Sequence, residues 1–182
     1  MTPDEKLVTA SLSGDEAAFA ELVLRYRERL YRFLTTRAVS AADADDALQD
    51  TFVNAYRYLS TYNPRWQFST WIYRIAIRCA SRPRPVTVPS DEWIDETSDP
   101  LAQCIEHSQR ENLWLTARNT LTPDAFTALW LRYAEEQSIK DVARSMERSQ
   151  PWVKVTLMRA RKRLKTTIGV DDDVRQKGDV YG

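Results

Sequence analysis

Apolar side chains recur at steps of three and four residues along most of this chain, and that spacing constrains its fold more than any other feature. It matches one face of an α-helix, because a helical turn takes 3.6 residues. The stretch from Asp15 to Thr36 shows the pattern most fully, and Ser13 and Gly14 before it predict a helix start. The chain has only four glycines, and all-β folds usually need more of them in turns. The sequence therefore predicts an all-α fold.

Two more helices are expected in the first half of the chain. One begins after Ser40 and runs to about residue 60, where the turn-forming residues 62–65 break it. The other spans about residues 69–80, and two prolines within residues 82–85 end it, because proline lacks an N–H and restricts the residue before it. Residues 1–81 are predicted to form one small helical domain.

A change of composition separates this domain from the rest. Residues 82–110 hold four prolines and six acidic residues against three basic ones, which is typical of a flexible linker. Residues 169–182 form a short acidic tail that is predicted to be disordered. Residues 111–168 then make a second small helical domain, and they carry eleven Lys and Arg against six Asp and Glu. The zero net charge of the chain thus hides a basic segment that could bind a polyanion.

The second domain contains the pattern of a helix-turn-helix. Thr122 and Ser138 stand where side chains cap helices, and Ser149 precedes a last helix that extends to about Ile168. One side of that helix is apolar and should pack on the helices before it: Val153, Leu157, Ala160, Leu164 and Ile168. Lysines and arginines crowd the other side, which suits a groove lined with phosphates.

Aromatic residues and arginines alternate in the first domain between residues 56 and 74. Aromatic faces stack on unpaired bases and arginines neutralise their phosphates, so this pattern favours binding of single-stranded nucleic acid. Trp71 is expected to be core, whereas the loop residues Tyr62 and Trp66 are expected to be available to a base. Pro64 should stiffen that loop.

No catalytic motif is recognisable. The single histidine, His107, falls in the linker, and no phosphate-binding loop or nucleophile motif is present. Neither Cys79 nor Cys104 belongs to a metal-binding pair, so both are expected to be reduced thiols. We therefore expect no enzyme activity, no cofactor and no metal. The N-terminus has no signal-peptide pattern and no stretch is apolar enough to span a membrane, which predicts a cytoplasmic protein without membrane insertion.

Two sets of motifs make the chain resemble the extracytoplasmic-function (ECF) sigma factors of bacterial RNA polymerase. The stretches 129–133, 138–143 and 153–164 are similar to the fourth conserved region, whose usual patterns are LLLRY, SxxEIA and TVKSRLxRARxxL. The stretches 46–52 and 68–76 are similar to D-x-V-Q-E-x-F and FxxWLYRIA of the second conserved region. The resemblance implies a protein that binds core polymerase, directs it to promoters and helps to melt them.

The resemblance also implies three sets of site residues. An acidic edge would dock on the clamp helices of the largest polymerase subunit through Asp43, Asp46, Gln49, Asp50 and Asn54. The minus-10 element would meet Tyr58, Tyr62, Asn63, Arg65, Trp66, Arg74 and Arg78. The minus-35 element would meet Trp152, Lys154, Val155, Met158, Arg159, Arg161 and Lys162. Promoter DNA and core polymerase are thus the expected partners, and an anti-sigma factor is a further candidate.

Two departures from the family patterns stand out. Glu147 occupies the position of the usual turn glycine in the helix-turn-helix, and Arg78 stands where an asparagine is frequent. Three other functions remain open at this point: a helix-turn-helix repressor or activator without polymerase contact, an enzyme of nucleic-acid processing, and a sigma-like scaffold that binds only an anti-sigma factor.

Overall fold

The structure, a computed structural model, describes residues 3–81 and 113–168. All regular secondary structure in these two ranges is helical, which confirms the predicted fold class. The predicted linker, residues 82–110, and the tail, residues 169–182, lie outside the described residues. No helix in the described ranges is both long and apolar enough to cross a membrane.

The first module consists of four helices and one short 3₁₀ turn. Its elements are α1 (Asp4–Leu12), α2 (Glu16–Thr35), α3 (Ala41–Arg57), the 3₁₀ turn Leu59–Thr61 and α4 (Phe68–Ala80). Helix α3 packs between α2 and α4, and α1 packs on α2. The Asp15 carboxylate accepts hydrogen bonds from the first turn of α2, and the Ser40 hydroxyl caps α3. Both helices therefore begin where the sequence predicted, although Asp15 rather than Ser13 or Gly14 caps α2.

Helix α1 was not predicted from the sequence. Its Leu7 and Val8 are buried, so the helix contributes to the core of the module. The Asp4 carboxylate at its start accepts hydrogen bonds from Arg25 Nη1 at 2.9 Å and from the Tyr26 hydroxyl at 2.5 Å. These side chains of α2 hold the N-terminus of α1, where a carboxylate also complements the helix dipole.

An aromatic core fills the space between α2 and α4. Phe33, Phe68 and Tyr73 are almost completely buried, and Trp71 is buried as expected. Phe33 meets Tyr73 edge-on with ring centroids 5.3 Å apart, and Tyr26 meets Phe68 in the same way at 5.2 Å. Such edge-to-face pairs add stability beyond the buried area. They fix the position of α4, which carries several candidate DNA-binding side chains.

The second module also has four helices. They are α5 (described from residue 113 to 120), α6 (Pro123–Tyr133), α7 (Ile139–Ser145) and α8 (Gln150–Ile168). The hydroxyls of Thr122 and Ser138 accept hydrogen bonds from the first turns of α6 and α7, and Ser149 Oγ accepts one from the Trp152 N–H. The three predicted helix starts are therefore confirmed.

The predicted apolar side of α8 is correct for four of its five members. Val153, Leu157, Ala160 and Leu164 are buried, but Ile168 at the last turn is 46% exposed.

The two modules pack against each other through α4 and α7. The rings of Phe33 and Trp130 lie 6.3 Å apart across this contact, and Arg29 forms an ion pair with Glu135. Nothing in the sequence patterns predicted this contact, because both modules carry complete helix stripes of their own.

Candidate nucleic-acid interface

The acidic edge expected to meet polymerase lies on α3. Asp46 and Gln49 are exposed there, whereas Asp43, Asp50 and Asn54 are half-buried. The opposite side of α3 is buried through its small residues and Leu48, so the helix can face only one way. Two of the five expected polymerase contacts, Asp46 and Gln49, are therefore fully exposed on the outward side of α3, and Asp43 and Asp50 are exposed in part.

Asn54 connects two helices. Its Nδ2 donates to the Asp50 carbonyl oxygen at 2.7 Å and lies 3.6 Å from the Cys79 sulfur on α4. Cys79 itself is buried, and Cys104 lies outside the described residues. These contacts give Asn54 a role in holding α3 against α4, in addition to any contact that it makes with a partner.

Tyr62 differs most from its expected position. The side chain is only 9% exposed, and its ring packs edge-on against Phe68 and Trp71 at 5.7 and 5.8 Å. Its hydroxyl donates to the Trp66 carbonyl oxygen at 2.6 Å. Burial raises the pKa of Tyr62 to about 12. The ring is thus part of the core in this conformation and is not open to a base.

The loop after the 3₁₀ turn is nevertheless ordered by local hydrogen bonds. Asn63 Oδ1 accepts from the Arg65 N–H at 3.0 Å, and the Asn63 carbonyl accepts from the Trp66 N–H at 3.0 Å. Pro64, between these groups, has its φ angle fixed by its ring. Trp66 is half-exposed at the end of the turn, so the loop presents this indole in a defined position.

A cleft of about 490 Å³ opens between this loop and α4. Aromatic, amide and guanidinium groups share its walls: Tyr58, Thr61, Asn63, Trp66, Trp71, Arg74, Ile75 and Arg78. Five of the seven residues expected at the minus-10 element therefore line one cavity. Arg65 is exposed on the loop outside it, and Tyr62 lies beneath it. An unpaired base could stack in such a cleft while the arginines neutralise phosphates.

The exposed side of α8 forms the second candidate surface. Six of its expected contact residues are exposed: Lys154, Val155, Met158, Arg159, Arg161 and Lys162. Trp152 is half-buried, and the Arg148 guanidinium lies over its ring at 5.2 Å. Arg148 also pairs with Asp124 at the start of α6 at 3.2 Å. Trp152 is thus fixed at the beginning of a helix that offers both cations and apolar groups to a groove.

Glu147 and Arg144 are site residues that the sequence analysis did not assign. Glu147 pairs with Arg74 and Arg78, and the Arg144 guanidinium lies 5.1 Å from the centre of the Trp66 ring. Both belong to the second module but contact residues of the first that are expected at the minus-10 element. The only sequence signal was Glu147 in the place of a turn glycine.

The described ranges contain no cluster of three or more His, Cys, Asp or Glu side chains that could hold a metal ion. The fold and these surfaces define an all-helical protein with two separate candidate DNA-binding modules. Residues 22–82 match the family Sigma-70 region 2, and residues 112–164 match Sigma-70, region 4. The chain belongs to the sigma-70 family of RNA polymerase sigma factors, within its ECF group, and acts in promoter-specific initiation of transcription.

Relatives that match over most of their length support this membership. The chain is 31% identical over 173 residues to the RNA polymerase sigma-H factor of Pseudomonas aeruginosa, covering 87% of this chain and 90% of the relative. It is 29% identical over 184 residues to the ECF RNA polymerase sigma-E factor of Haemophilus influenzae, covering 91% and 95%. The sigma-E factor of Escherichia coli is 30% identical over 173 residues, with 87% and 90% covered.

Two solved structures share the fold. CnrH, solved in complex with the cytosolic domain of CnrY, aligns with a TM-score of 0.66 and 22% identity, covering 92% of this chain and 98% of that one. The sigma factor RpoE of Bartonella quintana, solved with the anti-sigma factor NepR, aligns with a TM-score of 0.62 and 21% identity, covering 84% and 98%.

Proposed function

We propose that this sigma factor docks on polymerase through α3, inserts an unpaired minus-10 base in the cleft beside α4 and reads the minus-35 element with α8. The observation that carries the proposal is the cleft, because it joins a half-exposed indole, an ordered loop and two arginines in one cavity. The factor supplies binding and positioning, and the polymerase performs the chemistry in the cytoplasm.

The polymerase contact rests on the outward face of α3. Asp46 and Gln49 are exposed, and Asp43 and Asp50 are partly exposed along the same helix. A basic surface would meet complementary charge there, which accelerates encounter and fixes the register of two proteins. Asn54 lies at the C-terminal end of this face and contacts Cys79 on α4, the helix that also lines the cleft.

Melting of the minus-10 region requires a base to leave the duplex stack. Each base stacked on an aromatic ring gains roughly 1–3 kcal/mol, which offsets the cost of unstacking. Trp66 is the ring best placed for this, with Tyr58 across the same cleft. Asn63 presents an amide beside them that could read the edge of the base. Tyr62 supports the cleft from below rather than stacking on DNA.

Duplex binding rests on α8. Lys154, Arg159 and Arg161 supply charge for phosphates and guanine edges, and Val155 and Met158 supply apolar contact of the kind that thymine methyl groups favour. Val155 is 41% exposed and Met158 is 56% exposed, although both side chains are apolar. An exposed apolar pair within a cationic face is what base-edge contact would require.

An anti-sigma factor is the regulatory partner that we propose. The two solved structures described above each contain another protein, the cytosolic domain of CnrY in one and the anti-sigma factor NepR in the other. The exposed apolar residues on α2 and α3, Leu24 and Val53, offer surface for a protein of this kind.

Run-off transcription from a randomised promoter library, with core polymerase and the full chain, tests the whole proposal. We expect enriched sequences at two positions whose spacing is fixed. A variant with Arg74→Ala and Arg78→Ala should lose selection at the downstream element alone, and Lys154→Ala with Arg159→Ala should weaken selection at the upstream one. A chain that binds duplex DNA yet supports no transcription with core enzyme would instead be a separate helix-turn-helix regulator.

A further inference from the structure

A cavity outside both candidate DNA surfaces lies where the end of α2 meets the second module. Its volume is about 300 Å³, and six residues line it: Thr36, Arg37, Arg118, Leu121, Pro123 and Phe126. The first two follow α2, and the other four belong to α5, to α6 or to the turn between them. None of the six is proposed above as a contact of polymerase or DNA. The proposed function therefore leaves this cavity without a role.

The walls of the cavity carry two positive charges. Arg37 and Arg118 supply them from different modules, and its lining, in the part of the chain that the structure describes, includes no Asp or Glu. A guanidinium keeps its charge at any ordinary pH and binds phosphate groups through paired N–H donors. Leu121 and Phe126 add apolar surface. The cavity is thus suited to an anion and would repel a cation.

Arg37 is held in place by the second module. It is half-buried, and its Nη1 donates to the Pro123 carbonyl oxygen at 3.4 Å and to the Thr127 hydroxyl. The same Pro123 oxygen accepts a hydrogen bond from Thr127 Oγ1 at 2.8 Å, so it already has its donors. The guanidinium is therefore fixed at the wall of the cavity by neutral groups.

The charge of Arg37 is poorly compensated. Its Nε is buried without a hydrogen-bond partner, and no carboxylate in the described ranges forms an ion pair with it. Burial lowers the pKa of Arg37, and the charge of Asp124 offsets this only in part. Asp124 pairs with Arg148 instead, at 3.2 Å. A buried cation without a paired anion is unfavourable, so a negative charge in the cavity would stabilise this region.

Arg118 provides the second cation in a different way. It is exposed and makes no hydrogen bond or ion pair with another residue that the structure describes. Its long side chain can therefore turn towards a ligand without breaking a contact. One fixed and one adjustable guanidinium suit a ligand whose oxygens accept hydrogen bonds from both sides.

The size of the cavity limits the ligand. A volume of about 300 Å³ lies at the lower end of the range for small-molecule sites. A strand of nucleic acid needs a row of cations along a groove, whereas two guanidiniums meet here in one cavity. A phosphate has more acceptor oxygens than a carboxylate and can bind both arginines at once.

We propose that this cavity binds a small anion with one or two phosphate groups, held between Arg37 and Arg118. Because the two arginines belong to different modules, the bound anion links the end of α2 to α5. Ligand binding to the folded protein raises its melting temperature by mass action. The site requires neither polymerase nor promoter DNA, so its test is independent of the proposed function.

The test uses the full chain, with pyrophosphate and inorganic phosphate as probes at constant ionic strength. Titration calorimetry measures affinity, and two-dimensional NMR of backbone amides locates the bound anion. Arg37→Gln and Arg118→Gln each remove one cation, and the second of these changes an exposed side chain without a described partner. Arg27→Gln on α2 and Arg163→Gln on α8 are matched controls, because both arginines are exposed and lie outside the cavity.

We expect pyrophosphate to bind the parent at one saturable site and to raise its melting temperature. The amide signals of Arg37 and Leu121 should shift during the titration. Arg37→Gln and Arg118→Gln should each weaken binding by about tenfold or more, the range of a hydrogen bond to a charged group. Arg27→Gln and Arg163→Gln should bind within about twofold of the parent.

Three results would overturn the site. One is the absence of saturable binding by either probe. Another is equal weakening by Arg118→Gln and Arg163→Gln, or amide shifts confined to α8, since the anion would then bind the basic helix without specificity. The third is displacement of pyrophosphate by a single-stranded oligonucleotide in a manner that depends on Arg118, which would assign the two arginines to nucleic acid.

Discussion

The contrast between Tyr62 and Trp66 separates support of the minus-10 cleft from contact with DNA. Tyr62 is buried against Phe68 and Trp71 and holds the Trp66 carbonyl, whereas the Trp66 ring is half-exposed in the cleft. Replacing each by alanine should therefore affect different quantities. Tyr62→Ala should lower stability, and Trp66→Ala should lower DNA binding in a protein that stays folded.

The magnitudes follow from burial. Truncation of a large buried aromatic ring costs about 3–5 kcal/mol, since the cavity is only partly refilled. For a module of this size each kcal/mol shifts the melting temperature by roughly 4–8 °C, so Tyr62→Ala should lower it by more than about 10 °C. Tyr62→Phe removes only the hydrogen bond to Trp66, which is worth about 0.5–1.5 kcal/mol. Trp66→Ala loses about 1 kcal/mol or less from its exposed contact with Arg144.

Calorimetric melting measures the stability of each variant. Permanganate footprinting on linear and pre-melted templates measures promoter opening. Trp66→Ala should slow opening of the linear promoter, and a pre-melted bubble should restore much of the loss because the unstacking cost is already met. Tyr62→Phe should behave like the parent on both templates apart from a small drop in melting temperature. A Tyr62→Ala protein that melts like the parent but opens promoters slowly would refute the assignment of Tyr62 to the core.

Other substitutions test the remaining surfaces. The double variant Asp46→Lys with Asp50→Lys should abolish binding to core polymerase in a pull-down. Its control, Glu28→Lys at an exposed position of α2, should bind normally. If the double variant binds as well as the control, α3 is not the docking face. Lys154→Ala and Arg159→Ala should each weaken minus-35 duplex binding by about 1–3 kcal/mol where they reach a base edge, and each lost phosphate contact should reduce the salt slope by about one. Lys6→Ala, in the other module, is the control for both variants. If all three variants have the same salt dependence of duplex binding, α8 is not the helix that binds the minus-35 element. Ser138→Ala removes the hydroxyl that caps α7 by accepting a hydrogen bond from the Asp141 N–H at 3.2 Å. Thermal melting should show the second module destabilised by about 1 kcal/mol. An unchanged melting temperature would mean that water replaces the cap fully.

Local signals in the sequence were sufficient for most helices. Ser40, Thr122 and Ser138 cap helices through contacts within three residues, so no knowledge of the fold is needed to place them. Helix α1 was missed because its stability depends on Arg25 and Tyr26, more than twenty residues away.

Exposure of individual apolar residues was harder to predict. Leu113 and Leu115 are apolar but are 43% and 54% exposed, and Trp114 between them packs on Phe126 and Trp130 instead. A short segment contains too few turns to define which side faces the core. Tyr62 differs in the opposite sense, because it was expected to be accessible but is buried. An aromatic residue in a polar loop gives no local signal of burial.

The contact between the modules lay beyond sequence patterns for a different reason. The apolar residues that meet there, Phe33 and Trp130, fit the helix stripes of their own modules, so their spacing does not show that they also contact each other. Polar groups contribute to the contact as well, with Glu147, Arg78 and Ser145 among them. In sequence such residues have the same appearance whether they face solvent, DNA or another module.

Buried and exposed residues therefore have different roles in promoter melting by this factor. Groups at the surface, such as Asn63 and Trp66, would contact a base. The buried Tyr62 holds their loop in place, because its hydroxyl donates a hydrogen bond to the Trp66 carbonyl oxygen. A cleft prepared before the base arrives loses less conformational entropy on binding.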